Sequence, residues 1–102
     1  LIVGSDQGIE GATQALAGAK NTSVLLVGFG GSGAALAGVA SKAWYSDVFQ
    51  APASEGQIAM TTLINAIKTG KAGGGINVLK GLPNDGIVTS ANYKKFTAEW
   101  PG

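Results

Sequence analysis

The stretch Val24-Leu25-Leu26-Val27-Gly28-Phe29-Gly30-Gly31-Ser32-Gly33 decides the fold of this chain. Its four leading apolar residues, without polar alternation, are typical of a strand buried on both faces, as in a parallel sheet. A glycine cluster follows, and the small residues over 34–42 then predict a helix. A strand, a tight turn and a helix N-terminus together direct backbone N–H groups at one spot, so the stretch predicts a ligand-binding edge.

A strand–helix unit repeats on either side of this stretch. The N-terminal unit begins with Leu1-Ile2-Val3-Gly4, and Ser5 or Asp6 can cap the helix that follows. Short connections between such units favour parallel strands joined by right-handed crossovers, so we expect an α/β fold with a three-layer, Rossmann-like parallel sheet. The predicted strands are 1–4, 24–28 and 46–50, and the predicted helices are 7–19, 33–42 and 54–69.

The last of these helices carries its own start and stop signals. Ser54 with Gln57 three residues later is a capping box, and Gly70 is a suitable C-cap. The strongest amphipathic stripe in the chain lies between them and consists of Met60, Leu63, Ile64 and Ile67.

The sequence changes character after Lys71, where glycines and short apolar runs replace the long periodic segments. Such a composition favours turns and brief strands over regular helices. The predicted features are a hinge-like glycine run at 73–75, short strands at 76–79 and 87–89, a tight turn at 83–86 and a short helix from Ser90 to about Glu99.

Composition excludes several kinds of chemistry. The 102 residues include no Cys and no His, so neither a Cys-based zinc site nor a Ser-His-Asp triad can be built from them. The net charge of +1 gives no reason to expect nucleic acid as a partner. Because the chain begins at Leu1 within a predicted strand, we expect it to be a fragment, the C-terminal part of a longer protein.

Polar positions follow each of the three predicted parallel strands. Asp6 follows the first, the turn at Gly30 follows the second, and Gln50 ends the third. The carboxyl ends of parallel strands share one edge of a sheet, where open α/β proteins bind ligands. We therefore expect these positions to meet.

A competing interpretation uses the spacing Gly28-x-Gly30-x-x-Gly33, which fits the dinucleotide-binding fingerprint. Asp47 lies at about the distance expected for an acidic residue that binds the ribose. The chain would then be a fragment of an NAD(P)-dependent oxidoreductase. Against this, a strand and a helix precede the motif, and Ser32 is more simply an N-cap of the following helix.

Three segments, Leu1–Ala12, Val24–Ser32 and Asp47–Gly56, resemble in order and spacing the C-terminal part of type 1 periplasmic sugar-binding proteins. These are the ribose- and galactose-binding-like solute receptors of bacterial ABC importers, and they are related to the effector-binding cores of LacI-type repressors. The resemblance runs from Leu1 to about Gly70 and is looser beyond. A repressor core is therefore a second alternative.

The resemblance implies a ligand site formed by Ser5, Asp6, Gly30 and Gln50. The family usually has Asn-Asp where this chain has Ser5-Asp6, and an aspartate that binds sugar where this chain has Gly30. Gln50, before Ala-Pro, matches a sugar contact near a hinge. The implied ligand is a small sugar or sugar derivative, held without cofactor, metal or enzymatic activity.

The resemblance also implies how the chain is organised. Residues 1–53 would form a βαβαβ segment of the C-terminal lobe, and residues 54–75 a helix packed on the other lobe. Residues 76–102 would be a crossover tail with short strands and a terminal helix. The implied protein is periplasmic or extracellular, with a lipid anchor as one option, and its partner is the membrane permease of an ABC importer. Without the other lobe, we expect the 102 residues either to self-associate through the exposed helix stripe or to form part of a larger molecule that covers it.

Overall fold

A small mixed α/β arrangement of three helices and three strands makes up the fold in the computed structural model, which describes residues 1–102. The helices are α1 (Asp6–Gly18), α2 (Gly33–Ala40) and α3 (Pro52–Thr69). The strands are β1 (Val27–Phe29), β2 (Ser46–Val48) and β3 (Ile87–Thr89). Two 3₁₀ turns, Pro83–Gly86 and Tyr93–Lys95, flank β3.

The first part of the sheet is parallel, as predicted. β1 pairs with β2 in parallel, with Val27 opposite Ser46. The N-terminal residues run alongside β1 in the same direction, since Ile2 forms a parallel bridge with Val27. The Val27 N–H donates to Leu1 O at 2.9 Å, and the Val3 N–H donates to Val27 O at 3.2 Å. The predicted first strand is therefore present only as this single bridge.

The third strand departs from the predicted all-parallel sheet. β3 pairs with β2 in antiparallel orientation, with Val88 opposite Asp47, and the strand order is β1-β2-β3. The chain reverses just before β3 in a turn where Asn84 and Asp85 have φ angles of 51° and 50°. Such left-handed conformations suit Asn and Asp in turns. The sheet is mixed, and a three-layer parallel arrangement is not confirmed.

The core lies between the sheet and the helices α1 and α2. Ile9 of α1, Val39 of α2 and Val88 of β3 are completely buried. Phe49 and Phe96 pack with ring centroids 5.0 Å apart, which ties the segment after β3 to the end of β2. The remaining core residues are Leu26, Ala35, Trp44 and Ala51.

The segments on either side of β3 are less regular than the sequence predicts. Residues 76–79 form no strand, and only a 3₁₀ turn replaces the predicted helix from Ser90 to Glu99. The side chain of Asn92 explains the second difference, because its Oδ1 accepts from the Thr89 N–H and its Nδ2 donates to Ile87 O. These bonds fold the chain back on β3, and burial of Phe96 fixes it there.

Helix α3 begins two residues before the predicted capping box. Pro52 occupies the first turn, where its missing N–H costs nothing, and Ala51 at the N-cap makes no side-chain cap. The predicted Ser54–Gln57 box is wrong, because the N–H and hydroxyl of Ser54 both donate to the carboxylate of Glu99. The predicted C-cap is confirmed, since Gly70 has a φ of 67°.

The apolar stripe of α3 is exposed to solvent. No residue of α3 is buried. Met60 is 57% exposed and Ile67 is 73% exposed, and Leu63 and Ile64 are also exposed. Burying apolar surface is worth about 25 cal/mol per Å², so leaving this stripe in water forfeits several kcal/mol.

We expect the isolated 102-residue chain to self-associate through this stripe. The variant Leu63→Glu with Ile67→Glu should then shift the chain to monomer in light scattering coupled to size exclusion, because charges on the stripe oppose its burial. The matched control is Asn65→Glu, at an exposed position on the opposite side of α3 from the stripe. A parent chain that stays monomeric at high concentration would contradict this prediction.

Candidate functional site

The carboxyl edge of the parallel segments is the candidate site, and the structure brings its predicted residues together. Asp6 follows the segment paired with β1, Gly30 follows β1, and Gln50 lies beyond β2. A Cβ placed on Gly30 would lie 2.6 Å from Asp6 Oδ2. A Cβ placed on Gly31 would lie 2.7 Å from the backbone nitrogen of Gln50. The convergence expected at one edge of the sheet is therefore observed.

Two buried carboxylates hold the glycine loop, Gly30–Ser32, at this edge. The Ser32 N–H donates to Asp6 Oδ2 at 2.9 Å, and the Gly31 N–H donates to Asp47 Oδ2 at 2.9 Å. Both aspartates are completely buried. Hydrogen bonds to a carboxylate are stronger when it is ionised, and two such bonds to the adjacent amides of Gly31 and Ser32 fix the conformation of the loop. Asp6 therefore binds the backbone of the loop from the protein interior, a role that the sequence did not predict.

The N-terminus of α2 is covered by the last residues of the chain. The Gly33 N–H donates to Trp100 O at 2.9 Å, and the Ala34 N–H donates to Pro101 O at 3.0 Å. The Trp100 Nε1–H donates to Gly30 O at 2.8 Å, which clamps the same segment to the loop. We call Trp100–Gly102 the clamp. The clamp was not predicted, since only the composition of Trp100-Pro101-Gly102, and no periodic pattern, marks it in the sequence.

Backbone donors near Gly30–Gly33 were expected to face a ligand, but the chain satisfies them itself. The Gly30 N–H donates to Val48 O at 2.9 Å. Ser32 caps α2 as predicted, because its Oγ accepts from the Ala35 N–H at 3.0 Å. The aspartates accept from Gly31 and Ser32, and the clamp accepts from Gly33 and Ala34. Every N–H from residue 30 to residue 34 therefore has a partner in the chain.

The fingerprint glycines are explained by close approach within the chain. A Cβ on Gly28 would lie 2.5 Å from Asp47 Oδ1, and one on Gly33 would lie 3.2 Å from Pro101 O. With Gly30 against Asp6, each glycine of the motif makes room for another part of this protein. Asp47, the acidic residue of the dinucleotide interpretation, is buried and bonded to Gly31.

The electrostatics of the site are dominated by the two carboxyl groups. Burial raises the pKa of Asp47 from 3.8 to about 7, assisted by the negative charge and the close approach of the Asp6 carboxylate. The amide groups of Gly31 and Val48 lower this pKa, but they do not offset the rise. The Oδ1 atoms of both aspartates are buried and have no hydrogen-bond partner.

The two remaining predicted site residues lie nearer to solvent. Ser5 is half-buried and caps α1, where its Oγ accepts from the Gly8 N–H at 3.2 Å. Its hydroxyl proton is not used by this bond. Gln50 is also half-buried. Ser5 and Gln50 are therefore the predicted residues whose polar groups a ligand can reach.

Other features give no further indication of a site. The two main cavities lie elsewhere, one of about 610 Å³ beside Trp44 and Tyr45 and one of about 500 Å³ along α3. No three acidic, Cys or His side chains come together to hold a metal ion. None of the helices combines the length and apolar character needed to cross a membrane. No protein-family model, curated protein or solved structure matches the chain.

Proposed function

We propose that this chain is the C-terminal part of a sugar-type solute-binding protein that delivers a small carbohydrate to an ABC importer. The observation that supports this most is the meeting of Asp6, the glycine loop and Gln50 at one carboxyl edge. Open α/β sheets bind their ligands in the crevice outside such an edge.

The division of roles at the edge follows from burial. Asp6 and Asp47 position the loop, because each is completely buried and each accepts from a loop amide. Ser5 offers a hydroxyl donor, and Gln50 offers an amide donor and acceptor. Sugar hydroxyl groups both donate and accept, so these two side chains match the chemistry of a carbohydrate. Binding of this kind needs no covalent chemistry, and the proposed protein is not an enzyme.

The same proposal gives a place to α3 and to the incomplete sheet. The lobe would be a larger, Rossmann-like parallel sheet, in which the segment 1–3, β1 and β2 are the last parallel strands. α3, which buries none of its residues here, would pack on the other lobe. The proposed protein would lie in the periplasm or outside the cell, as its role in import requires.

We expect Gln50→Ala to weaken sugar binding by the intact protein about tenfold, because a hydrogen bond to a neutral group is worth about 0.5–1.5 kcal/mol. Ser5→Asn should change which sugar is preferred and leave α1 capped, since Asn also caps helices well. The measurement is isothermal titration against a panel of pentoses and hexoses. Gln57→Ala on α3 is the matched control.

Fluorescence of Trp100 distinguishes this proposal from dinucleotide binding. Trp100 contacts Gly30 at the proposed site, whereas Trp44 is buried and bonded to Thr13. A sugar should change the emission of the parent protein but not that of Trp100→Phe. Binding of NAD with no response to any sugar, or Gln50→Ala that folds normally and binds the native sugar unchanged, would contradict the proposal.

A further inference from the structure

The two buried aspartates leave half of their hydrogen-bonding capacity unused. Oδ2 of each accepts from the glycine loop, at Ser32 for Asp6 and at Gly31 for Asp47. Oδ1 of each is buried without a partner. Buried polar atoms without partners are rare in native proteins, and an unpaired buried charge is more costly still.

The two unpartnered atoms lie close to the same point. A Cβ on Gly28 would lie 2.5 Å from Asp47 Oδ1 and 3.1 Å from Asp6 Oδ1, and the Trp44 ring covers that point at 3.2 Å. Two ionised carboxylates would repel each other strongly in such a dry place. One proton between them removes the repulsion and supplies the missing donor.

No other charged group neutralises the Asp6–Asp47 pair. Asp6 is the only charged group that shifts the pKa of Asp47. The elements packed around the pair are α1, β1, the glycine loop, α2, β2 and β3, and apart from Asp6 and Asp47 themselves their only titratable side chain is Glu10 of α1. A metal ion would need further ligands, and no third acidic side chain is present.

We propose that Asp6 and Asp47 share one proton between their Oδ1 atoms, and that this proton fastens the glycine loop to the sheet as a pH-sensitive lock. The protonated carboxyl donates its O–H to the ionised one, and each carboxyl keeps its loop amide on Oδ2. When the proton leaves to solvent, two negative charges remain buried together, and the loop and its carboxyl edge become easier to open.

The lock predicts the direction of the pH dependence. In the unfolded chain Asp47 loses its proton near pH 3.8, whereas in the folded chain it retains the proton to about pH 7. Between these values the folded state binds one more proton than the unfolded state, so stability falls as the pH rises. The unfolding equilibrium constant should increase by up to tenfold per pH unit over this range and then level off.

Urea unfolding of the chain from pH 4 to pH 8, compared with Asp47→Asn, tests the lock. The Asn side chain keeps an acceptor for the Gly31 N–H and adds a permanent donor toward Asp6 Oδ1. The difference in unfolding constant between parent and variant should therefore grow with pH, in favour of the variant. For the control Asp85→Asn, at an exposed carboxylate, the unfolding constant should change with pH in the same way as for the parent.

Parallel curves for the parent and Asp47→Asn would overturn the proposal. If Asp47→Asn does not fold, carbon-13 NMR of the aspartate carboxyls in the parent decides the matter. One coupled pair should then titrate with a step near neutral pH. Two carboxyls that both titrate below about pH 5 would overturn the proposal equally.

Discussion

Gly30→Asp should abolish stable folding of the chain. The resemblance to sugar-binding proteins suggests instead that this change restores a sugar-binding carboxylate and shifts ligand preference. The structure leaves no room for it, since a Cβ at Gly30 would lie 2.6 Å from Asp6 Oδ2 and 2.7 Å from Asp6 Cγ. Asp6 cannot move aside easily, because it is completely buried and holds the Ser32 amide.

The expected loss exceeds the steric cost alone. Overpacking a well-filled site typically costs about 1–3 kcal/mol, and a third carboxylate beside Asp6 and Asp47 adds an uncompensated charge. The sum approaches the total stability of a small domain, about 5 kcal/mol at the lower end. Circular dichroism during urea titration measures this loss in the free energy of unfolding.

The matched control for this change is Gly11→Asp. Gly11 lies on the exposed side of α1, and a Cβ there would contact nothing within 4 Å. The control adds the same charge without the clash and should unfold like the parent. A Gly30→Asp protein with the same unfolding midpoint as Gly11→Asp would show that Asp6 does not occupy the space beside the loop.

Asp6→Ala should lower the free energy of unfolding by about 2–3 kcal/mol. It removes a charge-assisted hydrogen bond and leaves the Ser32 N–H buried without an acceptor, which typically costs about 1.5–3 kcal/mol. Loss of the negative charge at the N-terminus of α1 adds a few tenths of a kcal/mol, because an anion there interacts favourably with the helix dipole. Relief of the repulsion with Asp47 offsets part of this loss, and the offset is larger at higher pH.

Asp6→Asn separates the hydrogen bonds of Asp6 from its charge. The amide oxygen can still accept from Ser32, and the amide nitrogen can donate to Asp47 Oδ1. This variant should therefore be much more stable than Asp6→Ala. Equal stability of the two variants would mean that the bond to Ser32 does not hold the loop.

Local sequence signals predict the parts of the fold that depend on near neighbours. The unbroken apolar run 24–27 and the small residues after it predict β1 and α2, and cap chemistry identifies Ser32 and Gly70 correctly. The parallel pairing of β1 with β2 follows from the short strand–helix–strand connection. Each of these features requires only a few residues close together in the chain.

Long-range packing determines what the sequence does not predict. The antiparallel direction of β3 depends on how the irregular segment after α3 returns to the sheet, and no periodic pattern encodes that path. The clamp is a similar case, because Trp100 lies far in sequence from the Gly30 carbonyl that it binds.

The candidate site likewise has a part that the sequence predicts and a part that depends on long-range packing. The meeting of Asp6, Gly30 and Gln50 is predictable from strand direction alone, because each follows a parallel segment. The burial of Asp6 beneath the loop is not predictable, since it depends on Gly28 and Gly30 admitting carboxylates where a Cβ would clash. Asp47 gave one signal in retrospect, as an acidic residue within a short strand of the core.

Amide hydrogen exchange at Ser32 and Gly31, measured by NMR in the parent and in Asp6→Ala, tests the central claim most directly. That claim is that two buried carboxylates organise the carboxyl edge. In the parent, both amides should exchange as slowly as those of the buried core residues Val39 and Val88. In Asp6→Ala the Ser32 amide should lose most of this protection while Val88 keeps it. Fast exchange at both loop amides in the parent would contradict the account.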